Sequence, residues 1–190
     1  TEILRHVMIK KVAIFGQTHS VNAEKEIKIL LLALEKHNVV AIFEENFYNA
    51  LKDSFQLTKK YSTFGSFYDL NSSFDVFFSL GGDRTFLRAI TYIRDLNIPI
   101  LAINTGRLGF LANIQKNTIK ESIDLLIAEE YTIQERTLLS IKTIPKVESL
   151  DELSFALNEI TISRENTTSM IGVKTFLDKE YLTNYWADGL

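Results

Sequence analysis

The chain reads as an α/β domain built on a parallel sheet, followed by a β-rich domain. Three observations predict this. Short, almost wholly apolar runs alternate with amphipathic helical segments as far as about residue 130. Beyond Tyr131 the helical period fades and β-type runs take over. The 190 residues, 46% of them hydrophobic, suffice for one ordinary domain or two small ones. The boundary is expected between 112 and 132, dividing the chain into 1–115 and 116–190.

Residues 11–16 (KVAIFG) form a short apolar run ending in Gly, which suits a buried parallel strand. In 22–37, Ile27, Leu30, Leu31 and Leu34 share one helical face, with Glu24, Lys28 and Glu35 mostly on another. Ser20 or Asn22 is placed to cap this helix. Residues 39–43 are the next strand and 47–57 a helix, whereas the Ser- and Phe-rich stretch 61–73 is left as a connection. Residues 74–80 are the third strand, 85–95 its helix, and 98–104 (IPILAIN) the fourth strand. Then come a loop at 105–113 and a helix at 118–130 with Ile119, Ile123, Leu126 and Ile127 inward. Segments 132–144, 153–164, 170–177 and 181–186 are β-rich, with Asp178-Lys179-Glu180 as a hairpin turn.

Composition excludes several classes. A net charge of −3 gives no broad cationic surface for nucleic acid or an anionic membrane. The absence of Cys rules out disulfides, a thiolate nucleophile and thiolate-bound zinc. His6, His19 and His37 lack the spacing of a metal site, and no metal-ligating residue is assigned. No apolar run is long enough to span a membrane, and residues 1–11 carry no signal-peptide pattern. A soluble cytoplasmic protein is expected. The start without Met and the stop at ADGL predict a fragment.

Chemistry is concentrated in four blocks. In FDVFFSLGGDRTFL an apolar strand ends in Gly81-Gly82-Asp83, and a helix follows at once. Two glycines let backbone approach a bulky ligand, and the helix N-terminus favours an anion. Asp83 is then either a helix cap or a carboxylate that holds a substrate hydroxyl, directly or through a metal. No Gly-Lys-Ser/Thr follows, so this is not a Walker A loop. Arg84 stands where such a turn would want another Gly.

The second block, NTGRLGFL at 104–111, leaves the next strand, and ligands bind at strand carboxyl ends in open α/β sheets. Asn104 would supply amide hydrogen bonds and Phe110 a flat wall for a base; alternatively Leu108, Phe110 and Leu111 simply fill an interface. The third, Asn158-Glu159, lies in an apolar run read as strand, so either one of the two faces inward or into a cleft, or the pair marks a structural edge or bulge. The fourth, Ala187-Asp188-Gly189, reads alone as a turn.

In this order and spacing the blocks resemble the NAD kinase family. GGDRT is similar to that family's GGDGT, NTGRLGFL to its N-x-G-x-LGFL block, Asn158-Glu159 to its NE pair, and ADGL to the start of its DG block. Diacylglycerol kinases and phosphofructokinases carry versions of GGDGT, but NTGRLGFL argues against a lipid or sugar kinase. The resemblance implies an α/β nucleotide-binding domain followed by an incomplete β-rich, sandwich-like NAD-binding domain, with the active site between them. It implies transfer of the ATP γ-phosphoryl group to the 2′-hydroxyl of the adenosine ribose of NAD, giving NADP, with Mg²⁺ or another divalent ion. A homodimer or homotetramer is expected.

By position the resemblance makes Asp83 the general base. It groups Gly81, Gly82, Arg84, Thr85, Asn104, Gly106, Leu108 and Gly109 as cofactor-binding residues, with Phe110 lining the adenosine pocket. Asn158, Glu159 and Asp188 hold the dinucleotide, and Ser169 and Trp186 fall where some members place further contacts. Two departures stand out. Arg84 replaces the family's Gly, adding a Cβ that a positive-φ turn penalises, so impairment is expected, with a bidentate phosphate contact as the other reading. The family's TPTGSTAY-type segment does not follow ADGL. The competing expectation is a nucleotide-binding fragment or paralogue without turnover.

Overall fold

A computed structural model describes residues 2–3, 8–17, 23–54, 57, 59–106, 109–112, 114–150, 152–165 and 169–190. Two units are distinguished, 1–135 and 136–190. The first contains β1 (Glu2–Ile3), β2 (Lys11–Gly16), α1 (Glu24–Lys36), β3 (Val40–Glu44), α2 (Glu45–Ser54), β4 (Ser62–Phe64) and β5 (Val76–Leu80). It continues with α3 (Asp83–Ile93), β6 (Ile100–Ile103), α4 (Ile119–Ile127) and β7 (Ile133–Gln134). The second contains β8 (Leu139–Ser140), β9 (Phe155–Ala156), β10 (Ile171–Leu177) and β11 (Glu180–Ala187).

In the first unit five parallel strands run in the order β4-β3-β2-β5-β6. The central strands are almost wholly apolar because helices cover both faces. In β5, VFFSL, every residue is buried. On one face Ile14, Phe43, Phe78 and Ile103 pack with Leu30 and Leu34 of α1, Phe47 of α2 and Ile123 of α4. On the other, Phe15, Phe77 and Phe64 pack with Ala89 and Ile93 of α3. Burying side chains of this size stabilises by roughly 1.5–3 kcal/mol each.

Helix α1 buries the expected stripe, Ile27, Leu30, Leu31 and Leu34. Glu24 and Glu26 sit in its first turn and Lys36 in its last, matching the helix dipole. It ends where Asn38 takes a positive φ of 56°, with Val39 N–H donating to the Leu34 carbonyl. The expected caps Ser20 and Asn22 lie outside the described residues.

Four expectations shift. The stretch 61–73 contains a missed edge strand, β4, paired with β3. Helix α2 begins at Glu45 rather than 47, because the Glu44 carboxylate accepts from Phe47 N–H at 2.8 Å and caps the turn. The first unit extends to residue 135 because α4 packs on α1, where Asp124 receives His37 Nε2 at 2.7 Å and Lys36 Nζ at 3.0 Å. In the second unit the long β-rich runs shrink to two-stranded antiparallel pairs, β8 with β9 and β10 with β11. The hairpin turn falls as expected: Asp178 and Lys179 both have positive φ, the geometry that matches strand twist.

Candidate functional site

Strand order reverses between β2 and β5, and the carboxyl ends of these strands border the crevice that open α/β sheets use for ligands. The chain leaves β5 through Gly81, whose φ is 155°. A Cβ there would stand 2.2 Å from Thr85 Oγ1, so this turn requires glycine. Gly82 serves as the N-cap of α3, and a Cβ built on it meets nothing within 4 Å. Its backbone therefore faces open space, as a surface for ligand approach must. Thr85 is buried beneath the turn.

Asp83 is the first residue of α3, and its carboxylate reaches back across the sheet end to the loop after β6. Phe110 N–H donates to Oδ2 at 2.8 Å, Leu111 N–H to Oδ1 at 2.9 Å, and Ala112 N–H to Oδ1 at 3.4 Å. These N–H groups, Phe110's first, hold the carboxyl below its ordinary value. Gly109 is what lets the loop come so close: a Cβ there would lie 2.3 Å from Asp83 Oδ1.

The rest of the loop is folded on itself. The Asn104 side chain, buried, accepts from Gly106 N–H at 2.9 Å. Asn104 N–H donates to the Ile114 carbonyl at 2.8 Å, which closes the base of the loop. Asn104 is thus committed inward as a loop brace. Phe110 is 96% exposed, a free aromatic face beside Asp83, while Leu111 is buried. Leu108 lies outside the described residues.

The structure brings Gly81, Gly82, Asp83, Thr85, Gly109 and Phe110 into one place in the first unit. Arg84 is exposed in the first turn of α3 and is not among the residues with positive φ. The expected backbone penalty is therefore absent at Arg84; the turn puts the glycine-only conformation at Gly81.

The other candidates belong to the second unit. Asn158 and Glu159 follow β9 rather than lying in a strand, and both are exposed. Neither points inward, because pairing with β8 ends at Ala156. Ser169 precedes β10 and is exposed. Trp186 is 70% exposed on β11, with its ring near Gly172.

Asp188 pairs with Arg164 at 2.8 Å, while Ile162 and Leu190 exchange backbone hydrogen bonds of 2.8 Å. A Cβ on Gly189 would stand 2.8 Å from the Ile162 carbonyl oxygen, so the ADGL turn requires its glycine. Sequence reasoning missed Arg164, whose only signal was a cation closing the β-type run 153–164. It also missed Glu44, an acid at the end of an apolar strand.

The family model for the ATP-NAD kinase N-terminal domain matches residues 12–131. The NAD kinase of Flavobacterium psychrophilum is 46% identical over 180 residues, covering 95% of this chain and 61% of the relative. The NAD kinase of Bacteroides fragilis is 37% identical over the same shares. The chain thus spans about three-fifths of the length of these relatives. A crystal structure of yeast NADH kinase complexed with NADH has the same fold, with a TM-score of 0.71 at 21% identity; the match covers 97% of this chain and 57% of that one.

Proposed function

The chain belongs to the ATP-NAD kinase family, and we propose that it takes part in moving the γ-phosphoryl group of ATP to the 2′-hydroxyl of the adenosine ribose of NAD, forming NADP. The observation that carries this reading is Asp83: a carboxylate at the mouth of a glycine turn, locked to the 110–112 backbone. Asp83 orients the hydroxyl and accepts its proton as the new bond forms. A carboxyl held below its ordinary value is a weak base. Phosphoryl transfer tolerates this, because its loose transition state rewards positioning over early deprotonation.

Gly81 and Gly82 bring backbone to the phosphates, with Thr85 bracing the turn. Phe110 offers its exposed ring to the adenine, on a loop shaped by Asn104, Gly106 and Gly109, with Leu108 read as a further nucleotide contact. Asn158, Glu159 and Asp188 hold the dinucleotide, with Ser169 and Trp186 as further contacts, and the β-rich unit is read as sandwich-like. Arg84 crowds the phosphate approach through its bulk. Among the described residues no group of three or more His, Asp or Glu side chains is placed to hold a metal ion. Mg²⁺ is read as carried on the ATP phosphates of the donor. By family resemblance the enzyme is read as cytoplasmic and as a homodimer or homotetramer.

Incubation of the intact protein with γ-labelled ATP and NAD is expected to place the label on the 2′-position of NADP. Label released only as inorganic phosphate, or none transferred, contradicts the reading.

A further inference from the structure

A second polar site lies on the other side of the glycine turn. Between the carboxyl ends of β2 and β3 opens a cleft of about 170 Å³, bordered by Gly16, Gln17, Glu44, Asn46, Arg88 and Tyr92. Glu44 is 2% exposed, a costly position for a carboxylate unless it is well paired. Oε2 is used in capping α2 through Phe47 N–H. Oε1 accepts from Asn46 Nδ2 at 2.9 Å and, only weakly, from the Tyr92 hydroxyl at 3.4 Å.

A helix cap alone is better served by Asp, Asn or Ser. The longer side chain leaves one oxygen at the cleft with capacity to spare. Beside it Gln17 Nε2 is buried with no hydrogen-bond partner, a donor that a polar ligand would satisfy. Burial, then the Glu44 charge, raises the Tyr92 hydroxyl above its ordinary value and so keeps it a donor.

Topology says which ligand belongs here. Gly16 is paired with Leu80 at the end of β5, and β3 flanks β2 on its far side. At about 4.8 Å per strand, the end of β3 lies about 10 Å from the Gly81-Gly82 turn. A triphosphate reaches that far from its ribose. Asp83 is tied to the loop after β6, so on the reading above the acceptor hydroxyl meets it on the β6 side. In-line transfer then leaves the opposite side, toward β2 and β3, for the donor.

We propose that this cleft is the nucleoside subsite of the phosphoryl donor, with Glu44 accepting from the ribose 2′- and 3′-hydroxyls and Gln17 donating from its amide. An acid at the end of the neighbouring strand plays this part for ribose in dinucleotide folds. Arg88, one helical turn beyond Arg84, offers a cation to the polyphosphate side of the cleft. The inference rests on the ATP-to-NAD reading above, and it deepens that reading by selecting a ribonucleotide donor.

The test is steady-state NADP formation by the intact protein with ATP, 2′-deoxyATP and 3′-deoxyATP. The unaltered protein is expected to show a KM about tenfold higher for the deoxy donors, as loss of a hydrogen bond to a charged group implies. Glu44→Gln is expected to raise the KM for ATP about tenfold, to lose the preference for ATP over its deoxy forms, and to leave the KM for NAD unchanged. Gln17→Ala should raise the KM for ATP by a smaller factor, and it reads the cleft if Glu44→Gln fails to fold. Equal KM values for ATP and the deoxy donors in the unaltered protein overturn the proposal, as does full ribose preference in Glu44→Gln. If no NADP forms at all, the kinase reading fails separately. Equilibrium binding of a non-hydrolysable ATP analogue then decides the cleft: weakened by Glu44→Gln it stands, unchanged it falls.

Discussion

The two units of this chain handle the same kind of amino acid in opposite ways. In the first, the large apolar side chains close over one another; Phe43, Phe47, Phe77 and Phe78 are fully buried. In the second, no described residue falls in the buried class, and Phe176, Leu177, Tyr181, Leu182 and Trp186 stand 56–70% exposed. The difference follows from architecture. A five-stranded parallel sheet offers two faces to helices, whereas a two-stranded pair has no layer of its own to bury against. Rigidity is therefore supplied by the first unit, and that is where the anchored carboxylate sits.

The largest contrast is expected from aromatic truncation. Phe78→Ala should destabilise the first unit by about 3–5 kcal/mol, seen as a lower midpoint in denaturant. Phe176→Ala should change the same midpoint by no more than about 0.5 kcal/mol. Equal losses would mean that the hairpin contributes to the common cooperative core.

Next comes the glycine that admits the loop to Asp83. Gly109→Ala would put a methyl group against the carboxylate and is expected to cost about 1–3 kcal/mol. It should also sharply reduce NADP formation. Retained stability and turnover would show that the loop need not approach Asp83.

The pH dependence is smaller and has a definite sign. The folded-state pKa of Asp83 lies below its unfolded value, owing first to the Phe110 N–H and then to the Leu111 N–H. Its contribution is fully present above about pH 4 and is lost as pH falls through the lower folded value. The stability gap between the parent and Asp83→Asn should therefore be constant from pH 7 to 5 and narrow below pH 4. A gap that widens on acidification would contradict the anchoring.

Arg84→Gly is the mildest change. It removes bulk from the phosphate approach with no backbone strain to relieve, so the KM for NAD should fall about threefold, worth under 1 kcal/mol. A rise in KM would identify Arg84 as a phosphate ligand.

Much of the first unit could be read in advance because buried parallel strands are apolar runs and α1 carries an unbroken i, i+3, i+4, i+7 stripe. Strand β4 could not: three residues at a sheet edge inside a Ser- and Phe-rich stretch leave no period to detect. The GGD turn was legible as an anion site, and its glycine requirement was misplaced onto Arg84 because sequence does not report φ. The partners of Asp83 were invisible for a deeper reason. They are backbone N–H groups, which every non-proline residue possesses. Glu44 was passed over since a charge at a strand end is ordinarily solvated. An inward face for one of Asn158 and Glu159 would have needed a longer strand than β9, which ends at Ala156.

The central claim is that Asp83 acts on the acceptor hydroxyl, and it is tested most directly by assaying Asp83→Asn for NADP formation beside calorimetric titration with NAD. The account predicts turnover reduced by about a hundredfold or more, with NAD affinity within about tenfold of the parent. Unchanged turnover would contradict it.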